Sequence, residues 1–350
     1  MTPAFWRGRR VFLTGHTGFK GSWLALWLVR LGATLTGFSV DVPTTPSFFE
    51  SARVADGVES IMGDVREAAA VSAAMRSAHP EIVFHLAAQP LVRHSYAEPV
   101  GTFATNVLGT VNVLEAARGL DGLLSVIVVT SDKCYRPADT AHSESDALGG
   151  EDPYSASKAA AELVTAAYRA SFFSDRGPAV ASARAGNVIG GGDWAADRLV
   201  PDLMRAAFAG ATVLIRNPSH VRPWQHVLGP LAGYLQLAER LCEDRALAAP
   251  WNFGPLEEDV RPVRWLVDAL LERWPTPVSV TLAGGEAAAR ETATLRLDSS
   301  RARSVLGWRP AWPLELALDS TADWYRAFGA GEDVRGLALA QIDRYKEDAA

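Results

Sequence analysis

Apolar runs of β type alternate with helix-type segments through the first half of the chain, and that beat narrows the fold more than any other feature. The runs are "RVFLTG", "TLTGFSVD", "EIVFHLAA", "LSVIVVTS" and "AVASARAGNVIG". Among them lie "GSWLALWLVRLG", "VREAAAVSAAMRSAH", "GTFATNVLGTVNVLEAARG" and "PYSASKAAAELVTAAYRASFF". Strand, helix, strand, helix predicts a parallel sheet with helices on both faces. The runs are apolar throughout rather than alternating, as strands covered on both sides must be. Right-handed crossovers then settle much of the order. From about residue 188 the beat is lost, glycine and tryptophan accumulate, and helices are expected at 199–209, 229–243, 262–273, 298–306 and 314–328.

The first strand runs into "TGHTGFKGSW", with Gly15, Gly18 and Gly21 three residues apart before a helix. A turn this tight lets backbone approach a pyrophosphate, and the helix N-terminus then offers free N–H groups to it. The second strand ends in "GFSVD". Asp41 there can accept hydrogen bonds from an adenosine ribose and would repel a 2′-phosphate, which favours NAD. Asp64, in "GDV", can face the adenine or cap the next helix, and both readings stand.

"DPYSASKAAAEL" places Tyr154 and Lys158 one helical turn apart, after Asp152 as N-cap and Pro153 at the first helical position. A lysine beside a phenol favours the phenolate, and a phenolate beside a nicotinamide is a base for an alcohol losing a hydride. The strand "LLSVIVV" ends in "TSDKCY", where Asp132 and Lys133 set an acid beside a base. Neighbours on a strand point to opposite faces, so both enter one pocket only if the strand has broken into a turn.

Together, the Gly-x-x-Gly-x-x-Gly loop, "HLAAQ" at 85–89, Asn106, the strand end at 130–133 and Tyr154-x-x-x-Lys158 resemble the extended short-chain dehydrogenase/reductase superfamily. Within it, "GHTGFKGSWL", "AAQPLVRHSY", "TSDKCY", "RAGNVIGGGDWA", "RNPSHVRPWQHV" and "WNFGP" are similar to the CDP-glucose 4,6-dehydratases, from Phe5 to about Tyr325. The resemblance implies a Rossmann-type doubly wound α/β domain over 1–187, to which some later segments return. A smaller mixed α/β substrate lobe over 188–330 follows, then a charged tail, 331–350, free to fray. It implies NAD as cofactor and a CDP-hexose as substrate. In the implied reaction C4 is oxidised, water is lost across C5 and C6, and the hydride returns to C6. Tyr154 with Lys158 takes the 4-hydroxyl proton, Ser131 or Thr130 hydrogen-bonds that hydroxyl, Asp132 is the general acid, and Lys133 is the base at C5. Cofactor contacts are implied at Gly15, Thr17, Gly18, Phe19, Gly21, Asp41, Asp64, Val65, Leu86, Ala87, Ala88, Gln89, Asn106, Thr130, Tyr154 and Lys158. Substrate contacts are implied at Arg93, Ser131, Asn187, Arg198, Arg216, Arg222 and Asn252; an arginine fork suits a diphosphate. The stretch 136–146, near the expected sugar pocket, and "ARET" at 289–292 depart from the family pattern.

Composition excludes other classes. A net charge of −6 leaves no basic footprint for nucleic acid or an anionic membrane. Two cysteines, Cys134 and Cys242, cannot build a disulfide framework and point to a reducing, cytoplasmic compartment. The seven histidines show no metal-binding spacing, so no metal is expected. The helices near 100–118 and 154–173 match those that commonly pair into a four-helix dimer interface in the superfamily they resemble, and both carry an extra apolar face, so the resemblance implies a homodimer or homotetramer. The alternatives are a 4-epimerase or decarboxylase, a dehydratase that inverts C5, and a non-catalytic nucleotide-binding regulator.

Overall fold

The computed structural model describes residues 2–282 and 294–350; the "ARET" string lies outside them. Seven strands form one parallel sheet: β1 (Arg10–Thr14), β2 (Thr34–Ser39), β3 (Val58–Met62), β4 (Ile82–His85), β5 (Ser125–Val129), β6 (Ala179–Ala185) and an edge strand, Pro250–Phe253. Their order is edge strand, β6, β5, β4, β1, β2, β3, with every neighbouring pair parallel. β5 and β6 are buried along their whole length, as apolar runs covered on both faces should be. Between β1 and β4 the winding reverses, and the loops leaving their C-terminal ends diverge to open a crevice.

The helix Phe19–Arg30 buries Trp23, Leu24, Leu26, Trp27 and Leu28 against one face of the sheet. The other face carries Ala68–Ala78, Gly109–Arg118 and Pro153–Phe172 over a second core that includes Phe12, Val83, Val126 and Val180. Such burial supplies roughly 25 cal/mol per Å² of apolar surface removed from water.

The segment after residue 188 divides between two places. The helix Leu199–Ala209, the parallel pair Val213–Ile215 with Val280–Leu282, and the antiparallel pair Val221–Pro223 with Val260–Pro262 stand beyond the C-terminal edge of the sheet. The helix Leu228–Glu243 and the edge strand return to the sheet, where they cover β5 and extend β6. The charged tail does not fray: Val334–Asp348 is a helix that buries Val334, Ala338, Ile342 and Tyr345, and Arg30 pairs with Asp343 at 2.7 Å. Its apolar residues recur on one face, and that stripe outweighs the charge of the rest. Among the described residues, no helix is long and apolar enough to cross a membrane.

Candidate active site

A cavity of about 1280 Å³ lies over the C-terminal ends of β1 to β6, and the loop after each of these strands contributes to its wall. A pocket for one drug-sized ligand is roughly 300–1,000 Å³, so this one has more room than a single such ligand needs.

The loop after β1 is shaped by what its glycines exclude. Gly15 has φ +77°, and a Cβ there would stand 2.7 Å from the Ala87 nitrogen. A Cβ on Gly21 would meet the Gly15 carbonyl oxygen at 1.9 Å. Gly18 is the N-cap of Phe19–Arg30, and Gly15, Thr17, Gly18, Phe19 and Gly21 all line the cavity. Thr17 ties the loop to the end of β2 by donating from Oγ1 to the Asp41 carbonyl at 2.6 Å. The backbone thus approaches the crevice with helix N–H groups facing it, the cradle a dinucleotide pyrophosphate requires. His16 points away: its ring bonds Ser39 and Ser60 at 2.8 and 2.7 Å, and burial pulls it down to about 4.

Asp41, Asp64, Val65, Leu86, Ala87 and Ala88 continue the same wall. Asp64 is not the N-cap of the next helix, which is Glu67. Its carboxylate instead closes a turn by accepting the Arg66 N–H at 2.8 Å, and the Arg66 guanidinium holds it below the usual carboxylate range. Gln89 and Asn106 do not reach the wall, contrary to the expected cofactor contacts. Asn106 sits in a π-helical turn, Ala104–Leu108, accepts the Gln89 N–H at 2.8 Å and donates to Ser157 Oγ at 2.8 Å. With its amide spent on protein partners, it braces the loop after β4 against the Tyr154 helix. A π-turn often marks such a local demand.

At the end of β5 the strand breaks. Val129 is its last residue, and Asp132–Cys134 is a 3₁₀ turn with Ser131 as N-cap. Ser131 Oγ accepts the Lys133 N–H at 3.2 Å and donates to Asp132 Oδ1 at 3.0 Å. Thr130, Ser131, Asp132 and Lys133 therefore all face the cavity. Asp132 is 2% exposed, and its Oδ2 has no hydrogen-bond partner among the described residues. Gly186 makes room for it, since a Cβ there would stand 2.9 Å from that oxygen. A buried polar atom without a partner is costly, and a ligand hydroxyl would satisfy this one.

Pro153–Phe172 starts as its sequence predicts, with Asp152 accepting the Ser155 N–H at 2.9 Å and Pro153 in the first turn. Tyr154 and Lys158 both line the cavity. Burial pushes the Tyr154 phenol up to about 12; a hydrogen bond with the Ser131 hydroxyl pulls against this, and the Asp132 charge adds to it. Burial pulls the Lys158 ammonium down to about 8, while the Glu162 carboxylate works the other way. Lys158 Nζ donates to the Val129 carbonyl at 3.3 Å.

Glu162, one turn further on, is the centre of a buried network. It pairs with Arg184 at 2.7 Å and accepts from Thr130 and Ser182. Arg184 also donates to the Tyr135 hydroxyl at 2.7 Å, and that hydroxyl donates to Asn252 at 2.7 Å. Asn252 was expected to touch the substrate, but it is fully buried. It lies in the edge strand, where its amide also donates to the His142 and Asp298 carbonyls, so its role is to tie the strand down. The stretch 136–146 is likewise no part of the wall, and its His142 stacks on Tyr135 at 4.6 Å.

The cavity also carries cations. Arg93, Arg198, Arg216 and Arg222 line it with Asn187, and the Arg198 charge is felt by both Tyr154 and Lys20. Asp193 pairs with Arg198 at 3.1 Å, and Asp197 with Arg216 at 2.9 Å and Arg93 at 3.3 Å. Arg222 donates to the Val221 carbonyl at 2.9 Å and contacts His220 at 3.1 Å. Among the described residues, no group of three or more His, Cys, Asp or Glu could hold a metal ion.

Three residues of the site escaped the sequence reading. Lys20 lines the cavity, where burial and the Arg198 charge pull its ammonium down to about 8. A signal was present, since a lysine in the first turn opposes the helix dipole and calls for an anion nearby. Glu162 follows Lys158 by another four residues, which puts it on the same helix face. Asp193 carried no signal, because it depends on where Arg198 folds.

A family model described as the NAD dependent epimerase/dehydratase family matches residues 11–245. A curated CDP-glucose 4,6-dehydratase of Salmonella typhimurium is 47% identical over 349 residues, covering 97% of each chain. Among solved structures, MoeE5 in complex with UDP-glucuronic acid and NAD superposes with a TM-score of 0.77 at 27% identity, over 91% of this chain and 99% of that one. DesIV of Streptomyces venezuelae, a dTDP-glucose 4,6-dehydratase with NAD bound, shares the fold with a TM-score of 0.80 at 23% identity, over 93% and 99%. With the model matched over most of the chain and a relative this similar from end to end, the chain belongs to the NAD dependent epimerase/dehydratase family.

Proposed function

We propose that this chain is an NAD-dependent nucleotide-sugar 4,6-dehydratase that converts CDP-glucose to CDP-4-keto-6-deoxyglucose. The observation that carries this reading is the single wall on which Tyr154, Ser131, Asp132 and Lys133 converge. An epimerase needs only the phenol, the lysine and the hydroxyl; an acid and an amine beside them are what water elimination adds. The 47% identity to the Salmonella typhimurium CDP-glucose 4,6-dehydratase supports both the reaction and the cytidine nucleotide.

The glycine loop and Asp41 would hold the dinucleotide at its pyrophosphate and adenosine ribose. When bound, NAD supplies the hydride acceptor for C4 and the hydride donor for C6. Tyr154 takes the 4-hydroxyl proton, and Lys158 stabilises the phenolate that must form first. Ser131 hydrogen-bonds the 4-oxygen. The resulting ketone acidifies C5, whose proton goes to Lys133, while Asp132 protonates the departing 6-hydroxyl. Arg93, Arg198, Arg216, Arg222 and Asn187 grip the diphosphate and nucleoside, with Lys20 adding a cation between the two ligands. The elements beyond the sheet edge, 199–226 and 256–282, form the substrate lobe.

The cell location follows from Cys134 and Cys242, both free thiols, which we read as cytoplasmic. The helices at 99–118 and 153–172 leave Val100, Phe103, Leu108, Leu163 and Phe172 exposed, and we read that patch as a face shared with a second copy.

The test is incubation with CDP-glucose, dTDP-glucose and UDP-glucose separately, followed by the alkaline absorbance of a 4-keto-6-deoxy sugar. Product from CDP-glucose is expected, with Tyr154→Phe reducing the rate by roughly 100-fold or more. Turnover of CDP-glucose to a 4-epimer with its 6-hydroxyl retained would refute the reading.

A further inference from the structure

The proton balance of this reaction does not close on Tyr154 and Asp132 separately, and this inference rests on the dehydratase reading above. In one turnover the 4-hydroxyl gives its proton to the Tyr154 oxygen. The C5–H bond breaks towards the base, the C6–O bond breaks, and Asp132 gives a proton to the leaving hydroxide to make water. The hydride taken from C4 is the one returned to C6, so no electrons are gained or lost. The base hands a proton back to C5 and ends as it began. Tyr154 is left with one proton too many and Asp132 with one too few. Each cycle therefore needs one proton to pass from the phenol to the carboxylate, whichever of them holds it at rest.

Bulk water is a poor route. Tyr154, Ser131 and Asp132 are 8%, 7% and 2% exposed, and two ligands would cover what remains. A direct route exists. Ser131 lies on the same wall as the Tyr154 phenol, close enough to pull its pKa down, and its hydroxyl donates to Asp132 Oδ1 at 3.0 Å. The Lys133 backbone N–H donates to the Ser131 oxygen at 3.2 Å and holds it in place from outside the chain of protons. Asp132 Oδ2, buried and without a partner among the described residues, is left for the substrate. One oxygen of the acid thus faces the phenol through serine, and the other faces the sugar.

We propose that Ser131 conducts a proton from Tyr154 to Asp132, so that the proton taken up from the 4-hydroxyl is matched by the one that leaves in water. The phenol O–H bond breaks as a new O–H bond forms at Ser131. The original serine proton moves on to Asp132 Oδ1, and the hydroxyl is regenerated. A half-turn of the carboxyl group then presents the proton to the 6-hydroxyl.

This role differs from a contact to the 4-hydroxyl alone, and the holoenzyme with CDP-glucose separates the two. Reactions of the wild type, Ser131→Ala and Ser131→Thr are quenched on the way to product, reduced with borodeuteride and read by mass spectrometry. If Ser131 is the conduit, Ser131→Ala oxidises C4 but starves Asp132 of its proton. A 4-ketohexose that keeps its 6-hydroxyl then accumulates roughly tenfold or more above wild type. Formate or acetate buffer speeds its conversion, and Ser131→Thr, which keeps the hydroxyl, accumulates less of it than Ser131→Ala. Slow turnover without that intermediate, and without any effect of buffer acid, overturns the proposal and leaves Ser131 a contact to the 4-oxygen. Should Ser131→Ala fail to fold, the wild type decides in stopped flow with a pH indicator in weakly buffered solution. A flat trace through one turnover supports the internal route, and release of a proton followed by uptake overturns it. A wild type that makes no 4-keto-6-deoxy sugar removes the dehydratase reading, and the relay with it.

Discussion

At the scale of single residues, the site is set by where side chains cannot go. Gly21 has no room for a Cβ against the Gly15 carbonyl, at 1.9 Å. Gly21→Ala should therefore spread the loop and abolish NAD binding in a fluorescence titration. Gly101→Ala is its control: Gly101 is helical, and a Cβ there meets nothing within 4 Å. That change should raise stability by about 0.5–1 kcal/mol and leave binding unchanged. Equal loss of NAD binding in both variants would show that the loop is not the constraint. The same logic explains which residue roles were readable. The glycines, Tyr154 and Lys158 have spacings dictated by a local turn or helix, so sequence alone placed them. Asn252 was misread because "WNFGP" shows no sign that its amide is used up by Tyr135, His142 and Asp298. Asn106 and Gln89 follow the same pattern: the Asn106 amide bonds the Gln89 backbone and Ser157, and the Gln89 amide bonds Leu91 and Thr102.

At the scale of elements, the helix Pro153–Phe172 does two jobs. One face carries Tyr154, Lys158 and Glu162 into the sheet, and another leaves Leu163 60% exposed. The buried pair of Glu162 and Arg184 is a liability if halved, since a lone charge would remain in the core. Glu162→Gln should lower the urea midpoint by the equivalent of about 3 kcal/mol, and a Glu162→Gln, Arg184→Met double variant should recover part of that loss. A double variant less stable than the sum of the two singles would contradict this account. On the outer face, Leu163→Glu should convert an assembled protein to a species of one-chain mass by light scattering while NAD still binds. A wild type already of one-chain mass at micromolar concentration would remove the shared face. Element types and lengths were largely legible, because 3.6-residue and continuous apolar patterns differ. The break at Ser131 was legible only as a need, since the apolar run simply stops; the 3₁₀ turn that turns both Asp132 and Lys133 inward is a property of the folded backbone.

At the scale of the whole molecule, burial of histidine makes stability depend on acid. His16, His85 and His226 are pulled from 6.5 down to about 4, 3 and 3 by burial. Below pH 6.5 the unfolded chain binds protons that the folded one refuses, so stability is full above that value and falls as pH drops. At pH 5 each group costs on the order of 2 kcal/mol. Tm should fall between pH 7 and pH 5, and His85→Gln should flatten that fall; an equally steep fall in the variant would exclude His85 as a cause.

Sequence by itself determined the alternating sheet, the dinucleotide loop and the Tyr–Lys pair, because each is written in spacings of a few residues that backbone geometry enforces locally. Tertiary structure alone decided which later segments rejoin the sheet, that the charged tail docks as a helix, and that Asn252 supports rather than contacts. It alone bent the chain at Ser131 so that Asp132 and Lys133 share a wall with Tyr154. Those outcomes depend on contacts between residues far apart in the chain, and no local pattern records which partner a polar group will find once the core has closed.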